Sequence, residues 1–363
     1  MTAAPAVLAL VTEAFGGRGG IAQYNRDFLG ALAASGTFSA ITVLPRHAHE
    51  QANPPTGIQQ MPARPGRVAY SLLAVVTALT RHVDLVFCGH LYMAPLAVLI
   101  ARLKGAKLVI QTHGIEAWPR PPRLRRAALE AAHLVLCVSR YTRAAVLSWA
   151  AMAPERVLVV PNTVREAFTP GESSSLRAAL GLESKRVLLT VGRMDSRECY
   201  KGQDRIIAAL PALVARGHDV VYVVVGEGND VARLKKLAVE AGIADRVSFI
   251  GPVFSERLAE AYRMADLFVM PSTGEGFGIA FLEAMASGTP VLGLAVAGAC
   301  DALADGELGV AVAEPQLVSA LVGALEGPTL NGHALAMAAR ERFGREHFAV
   351  GVERAVHRLL EAA

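Results

Sequence analysis

Ser272-Thr273-Gly274-Glu275-Gly276-Phe277-Gly278-Ile279-Ala280-Phe281-Leu282-Glu283-Ala284-Met285-Ala286-Ser287-Gly288-Thr289-Pro290 decides the reading of this chain. The apolar run Leu267 to Met270 before it reads as a buried strand. A helix is predicted to start near Gly278 and end at Gly288, a residue suited to C′, and Pro290 prevents continuation. Glu275 then sits in the loop at the strand's C-terminal edge, and Glu283 lies about a turn and a half into the helix. Gly274, Gly276 and Gly278 let the backbone approach a ligand and leave helix N-terminal amides for an anion. Such a corner offers amides for a phosphate, one carboxylate for the group attached to it and a second for a ribose. The plain alternative is a strand–turn–helix with glycines for tight packing.

Working outward, 363 residues favour two domains over one, and a hydrophobic fraction of 53% suffices for two cores. No apolar run approaches a membrane span. No basic n-region with a long apolar run marks a signal peptide, so a cytoplasmic location is expected. Cys88, Cys137, Cys199 and Cys300 are far apart and form no C-x-x-C, which reads as free thiols in a reducing compartment, with neither disulfide nor zinc. The net charge of +4 is unevenly spread: residues 1–165 hold 17 Lys/Arg against 7 Asp/Glu, and residues 166–363 hold 19 against 25. A basic first half points to an anionic partner: a membrane surface, a lipid diphosphate or nucleic acid. Arg-rich composition from a GC-rich genome is the plainer reading.

Both halves alternate apolar strand-like runs with helical stretches. In the first, Val7 to Val11 leads into Gly16-Gly17-Arg18-Gly19-Gly20 and a helix to about Ala34. Gly17-x-Gly19-x-x-Ala22 fits a loose dinucleotide fingerprint, but the next strand, Ala40 to Leu44, ends in Pro45-Arg46 without a ribose-binding acid. Residues 45–65 read as loop. Val68 to His82 reads as a core helix with solvated ends, in preference to an interfacial helix. Strands at Asp84 to Cys88 and Lys107 to Thr112 end in Gly89-His90 and His113-Gly114, where open α/β sheets bind ligands. Trp118, Arg120, Arg123, Arg125 and Arg126 form the most basic segment, suited to an anionic headgroup surface or an acceptor's phosphates, or else a solvated helix start. Nothing else resembles a nucleic-acid module, and no nucleic-acid partner is expected. The linker is placed at 162–175. In the second half, strands are predicted at Arg186 to Val191, Asp219 to Val225 and Arg246 to Ile250, ending in Gly192-Arg193, Gly226-Glu227-Gly228 and Gly251-Pro252-Val253. Tyr200-Lys201-Gly202 opens a helix. No Asp-x-Asp pair stands at a strand end, so no metal is expected.

The Glu275-x7-Glu283 pattern after a glycine-rich loop, with Gly192-Arg193 and Lys201-Gly202, resembles glycosyltransferase family 4, the retaining GT-B enzymes. The resemblance spans essentially the whole chain and is strongest over 186–293. The Arg193–Lys201 loop is somewhat longer than the commonest version. The resemblance implies an α/β GT-B fold, two Rossmann-like domains facing across a central cleft. Residues 1–165 would form the acceptor domain, 166–344 the nucleotide-sugar domain and 345–363 a helix crossing back to the first. It also implies a donor site. Arg193, Lys201 and the amides of Phe277, Gly278 and Ile279 would hold the diphosphate, Glu283 the ribose and Val253 the base. Gly226 would allow close approach, and Gly19 and Gly20 would let the first domain's loop reach the diphosphate. As catalytic residues, Glu275 would bind the sugar's hydroxyls without acting as a nucleophile. His113 would orient the sugar and stabilise positive charge at its anomeric carbon.

The implied activity is metal- and cofactor-independent, retaining transfer of a hexose from a nucleotide-sugar donor to a glycan or lipid-linked acceptor in bacterial surface-polysaccharide assembly. GDP-mannose is preferred over UDP-glucose, with peripheral attachment to the inner membrane face as an option. The competing readings are a GT-B sugar-nucleotide epimerase, a non-catalytic subunit of similar fold, and a dinucleotide oxidoreductase, which leaves Glu275, Glu283, Arg193 and Lys201 unexplained.

Overall fold

The computed structural model describes residues 4–51, 53–253, 255–327 and 331–361. The chain divides into two compact units, Met1–Thr163 with Arg345–Ala363, and Val164–Gly344.

In the first unit the strands are β1 (Ala6–Val11), β2 (Ala40–Pro45), β3 (Ile58–Gln60), β4 (Leu85–Cys88), β5 (Lys107–Thr112), β6 (Leu134–Cys137) and β7 (Val157–Val159). They form one parallel sheet in the order β3-β2-β1-β4-β5-β6-β7. The connecting helices are α1 (Gly19–Ala34), α2 (Arg67–Thr80), α3 (Ala94–Lys104), α4 (Arg123–Glu130) and α5 (Arg140–Trp149). Helices cover both faces of the sheet, so its central strands are continuous apolar runs rather than alternating ones. Leu8, Leu10, Val86, Leu108 and Ile110 face one core. On α1, the Phe28 ring stacks 4.3 Å from that of Phe87. Cys88 and Cys137 are buried free thiols, both pushed up to about 12 by burial.

In the second unit, α6 (Ser174–Ala179) precedes β8 (Arg186–Val191), α7 (Gln203–Val214), β9 (Val220–Val225), α8 (Val231–Glu240), β10 (Val247–Gly251) and α9 (Ser255–Arg263). There follow β11 (Leu267–Met270), α10 (Ile279–Ala286), β12 (Val291–Leu294), α11 (Ala299–Ala302), β13 (Val310–Val312), α12 (Leu317–Glu326) and α13 (Gly332–Phe343). The parallel order is β10-β9-β8-β11-β12-β13. Leu188, Tyr222, Val269, Leu292, Ile206 and Leu210 form one core. On the second face, the Phe268 ring meets Phe281 edge-on at 5.7 Å. The last helix, α14 (Arg345–Glu361), belongs to the first unit and packs on α1, with Phe348 edge-on to Tyr24 at 5.7 Å.

Two readings of the sequence are corrected here. Within 45–65, expected to be loop, Ile58–Gln60 extends the sheet edge by pairing with Ile41–Val43. Three residues among Pro and Gln are too short for a periodic signal. The second correction concerns α2. Only Tyr70, Ala74, Thr77 and Ala78 are buried, while Val68, Leu72, Val76 and Leu79 are exposed along one stripe at helical spacing. A helix apolar all round cannot bury every side against a single sheet, so α2 joins the core through Tyr70, Ala74 and Ala78 as expected but leaves a second apolar face exposed, where only its ends were expected to be solvated.

Candidate active site

In a doubly wound sheet, ligands sit beyond the carboxyl ends of the strands where the strand order reverses. That point is β8/β11 in the second unit and β1/β4 in the first.

The loop after β11 is built tightly. Gly278 caps α10 at φ 102°, and a Cβ there would lie 2.7 Å from the Phe281 ring, so only glycine fits. The Gly298 amide donates to the Glu275 carbonyl at 3.0 Å, and the Thr273 amide donates to Tyr200 at 2.9 Å. The backbone around Phe277, Gly278 and Ile279 is thereby fixed, with the start of α10 at its end.

Glu275 Oε1 is buried and has no hydrogen-bond partner among the described residues. Burial raises the carboxyl's pKa; Lys201 and a hydrogen bond from Ser272 oppose the rise, and Glu198 adds to it. A buried carboxylate oxygen without a donor suits a ligand hydroxyl, since every buried polar group needs a partner. Lys201 is brought to this place by a short turn, Cys199–Lys201, closed by Gly202 at φ 82°. Arg193, just past β8, has a side chain 73% exposed and donates through Nη2 to Glu198 Oε1 at 2.5 Å. The structure therefore brings Arg193, Lys201, Glu275 and Glu198 together. Glu198 was not anticipated, and its position three residues before Lys201 gives no signal by itself.

Glu283 is held differently. Its Oε2 accepts from the Tyr262 hydroxyl at 2.8 Å, and Oε1 accepts from Arg165 at 3.3 Å. The Arg165 guanidinium lies 4.8 Å over the Phe168 ring. Burial raises the Glu283 pKa, partly countered by Arg165 and Tyr262. Arg165 and Tyr262 were also missed, because neither belongs to a motif and the contact is tertiary. Gly226, at φ 137°, has a packing reason: a Cβ would sit 2.0 Å from the Gly192 carbonyl oxygen. Val253 is half-buried just beyond β10.

In the first unit, Gly19 at φ 83° has open space where a Cβ would stand, and Gly20 is exposed at the start of α1. His113 follows β5. Its Nε2 lies 2.9 Å from the Gly89 carbonyl, which only accepts, so Nε2 carries the proton and Nδ1 is the acceptor. The His113 amide donates to Glu116 at 2.5 Å, and the ring is edge-on to Tyr24 at 5.4 Å. The His90 ring is 5.9 Å away. Burial lowers the pKa of both rings, that of His90 to about 4, so both are neutral near pH 7.

The basic segment divides. Arg120 and Arg123 are exposed. Arg125 lies 4.4 Å over the Tyr92 ring, and Arg126 pairs with Glu130 at 3.8 Å. Trp118 is half-buried and donates to Thr142 at 3.1 Å, which makes it an anchor on α5. Among the described residues no group of three or more His, Cys, Asp or Glu is placed to hold a metal, and no helix is long and apolar enough to cross a membrane.

Comparison with known proteins identifies the family and the fold. Residues 18–168 match the model of Glycosyltransferase Family 4, and residues 173–342 match that of Glycosyl transferases group 1. The GDP-mannose-dependent α-(1-6)-phosphatidylinositol monomannoside mannosyltransferase of Mycobacterium tuberculosis is 31% identical over 320 residues, 81% of this chain and 82% of that protein. A D-inositol 3-phosphate glycosyltransferase of Geodermatophilus obscurus is 44% identical over 167 residues, 44% of this chain and 37% of that one. Among solved structures, Anabaena HepE with UDP-glucose superposes with a TM-score of 0.80 at 19% identity, covering 97% and 99% of the two chains. WaaG, a glycosyltransferase of lipopolysaccharide biosynthesis, gives 0.69 at 23% identity, covering 96% and 98%. At these identities the two structures establish the fold, GT-B.

Proposed function

The chain belongs to glycosyltransferase family 4, and from that premise we propose that it transfers mannose from GDP-mannose, with retention and without a metal, to a hydroxyl of a lipid-linked or glycan acceptor in bacterial surface-polysaccharide assembly. One observation carries the donor reading: a buried carboxylate, Glu275, with an unpartnered oxygen, set beside Lys201 at the glycine-rich entry to α10. A sugar hydroxyl satisfies that oxygen. Arg193, Lys201 and the amides of Phe277, Gly278 and Ile279 meet the diphosphate and offset the charge that grows on it as the glycosidic bond breaks. Glu283, steadied by Tyr262 and Arg165, takes the ribose hydroxyls. Val253 lies against the base. His113 offers the sugar a neutral Nδ1, fixed by the Nε2 bond to Gly89. With the acceptor hydroxyl attacking the face the diphosphate leaves, the departing phosphate takes its proton, and Glu275 is a binding group rather than a nucleophile. Guanosine and mannose are favoured by the Mycobacterium tuberculosis relative, which is named as GDP-mannose-dependent.

An anionic membrane surface as partner is supported by the first unit. Val68, Leu72, Val76 and Leu79 stand exposed on α2, and Leu99 and Leu103 on the neighbouring α3. Between residues 51 and 115 there is a single acidic residue, Asp84, against six Lys/Arg. Apolar stripe and positive charge together suit an anionic interface, which supports the reading of a protein attached peripherally to the inner face of the cytoplasmic membrane.

The test is calorimetric titration with GDP-mannose, UDP-glucose and NADP in the presence of EDTA, followed by product anomer analysis by NMR. Binding of GDP-mannose, lost in Arg193→Ala, and an α-linked product are expected. Binding of NADP alone, or an inverted product, would overturn the reading.

A further inference from the structure

The loop between β8 and α7 carries a carboxylate to which the mechanism above gives no task. Glu198 Oε1 takes the Arg193 guanidinium at 2.5 Å, and Oε2 lies 3.7 Å from Lys201 Nζ. The Glu198 side chain is only 18% exposed, and Oε2 is buried without a hydrogen-bond partner among the described residues. Leaving a carboxylate oxygen buried and undonated is costly, so the loop must hold it there. The backbone supplies that hold. The Glu198 amide donates to Asp195 at 2.7 Å, and the Lys201 amide donates to the Glu198 carbonyl at 3.0 Å. Met194 is pinned on both sides, its amide to Glu227 at 2.9 Å and its carbonyl to the Asp230 amide at 2.8 Å. The Tyr200 carbonyl ties the far end to Thr273. Two successive tight turns thus aim Glu198 between the two cations assigned to the donor diphosphate.

We propose that Glu198 is an internal counterion that occupies the diphosphate's place on Arg193 and Lys201, and that donor binding exchanges this carboxylate for the diphosphate. The inference rests on the diphosphate reading of Arg193 and Lys201. Without exchange, a diphosphate would enter beside both Glu198 and Glu275, two cations facing two carboxylates, and like charges at close range oppose it. With exchange, its oxygens take over the same charge-assisted donors. Glu198 therefore sets a threshold. A ligand bringing a diphosphate together with a nucleoside whose ribose meets Glu283 displaces it, whereas a monophosphate or a free anion does not. Ordinary cellular phosphates are thus kept off the site. The same residue also assists release, since it recaptures Arg193 and Lys201 as the nucleoside diphosphate product leaves.

The experiment measures binding of GDP, UDP, GMP and inorganic pyrophosphate by calorimetry to wild type, Glu198→Gln, Glu198→Ala and Arg193→Ala. Glu198→Gln keeps the shape and removes the charge. The expected result is about 10-fold tighter binding of the cognate nucleoside diphosphate in Glu198→Gln, the scale of one hydrogen bond to a charged group. Pyrophosphate and the monophosphate should become measurable binders. Glu198→Ala should move the same way, which guards against a glutamine that re-forms the Arg193 contact. Binding unchanged or weakened in both Glu198 variants, with Arg193→Ala losing affinity, would overturn the counterion role and make Glu198 a residue that merely positions Arg193. If Arg193→Ala leaves the affinity intact, or if none of the four probes binds any variant, the diphosphate reading itself falls and takes this inference with it.

Discussion

Tyr262 donates its hydroxyl to Glu283 Oε2 at 2.8 Å, while the other carboxylate oxygen takes Arg165 at 3.3 Å. A side chain from α9 and one from the segment that opens the second unit thus orient the second glutamate of the Glu275–Glu283 pair. Tyr262→Phe removes one donor from a buried carboxylate and is expected to cost about 1–3 kcal/mol of stability, read by urea denaturation. Nucleotide affinity should fall with it, because Glu283 loses its fixed rotamer. Arg165→Ala should act in the same direction, since it leaves the carboxylate's charge uncompensated.

Glu275 and Glu283 both have pKa values raised above 4.5 by burial. Between the unfolded and folded values the native state binds more protons, so each group's contribution makes stability fall as pH rises upward from about 4.5. The expected consequence is that Glu275→Gln, which removes the buried charge, stabilises the protein at pH 7 by about 1 kcal/mol while abolishing transfer. Thermal unfolding with a donor-turnover assay reads both; a destabilised Glu275→Gln would contradict it.

The imidazoles of the first unit work the opposite way. The folded pKa of His90 is lowered to about 4 from 6.5, and that of His113 is lowered too. The unfolded chain binds more protons in that window, so this contribution to stability is present above pH 6.5 and is lost as pH falls toward 4. NMR titration should show His90 neutral at pH 6 and protonating only near 4, with His113 titrating below the ordinary imidazole range.

Gly278→Ala should damage both the fold and the donor site. It forces a side chain into φ 102° and sets a Cβ 2.7 Å from Phe281. A loss of about 2–3 kcal/mol and of donor binding is expected, checked by denaturation and calorimetry. Gly36→Ala has the same sign of φ, 66°, but open space. It should cost only about 1–2 kcal/mol, the backbone share of the penalty, and leave donor binding intact.

Leu72→Glu and Leu79→Glu replace exposed residues on α2 and should leave thermal stability within about 0.5 kcal/mol. Co-sedimentation with vesicles containing phosphatidylglycerol should fall at least several-fold. Unchanged sedimentation would remove the lipid surface as partner.

Sheet strands were legible because burial on both faces makes them unbroken apolar runs, as in Ala6–Val11 and Val220–Val225. The corner at Gly278 was legible because a left-handed backbone demands glycine. Ile58–Gln60 was not, since three residues carry no period. The outward face of α2 was not, because Val68, Leu72 and Val76 look like core until the sheet's own coverage is known. Arg165, Tyr262 and Glu198 escaped for a common reason. Each acts through a partner held in place by tertiary contacts, and sequence spacing records no such pairing.

The first unit gives up the chain at Thr163 and receives it back at Arg345, so the second unit is topologically an insertion within it. On the ribosome, the part made first must therefore wait for one of the parts made last. Until residues 345–361 emerge, α1 lacks the helix that covers Tyr24. A nonsense mutation after residue 344 would spare every residue of the donor site in the second unit. It would nonetheless leave the earlier-synthesised domain with an exposed aromatic surface, and aggregation would begin in the half of the protein farthest, in sequence, from the lesion.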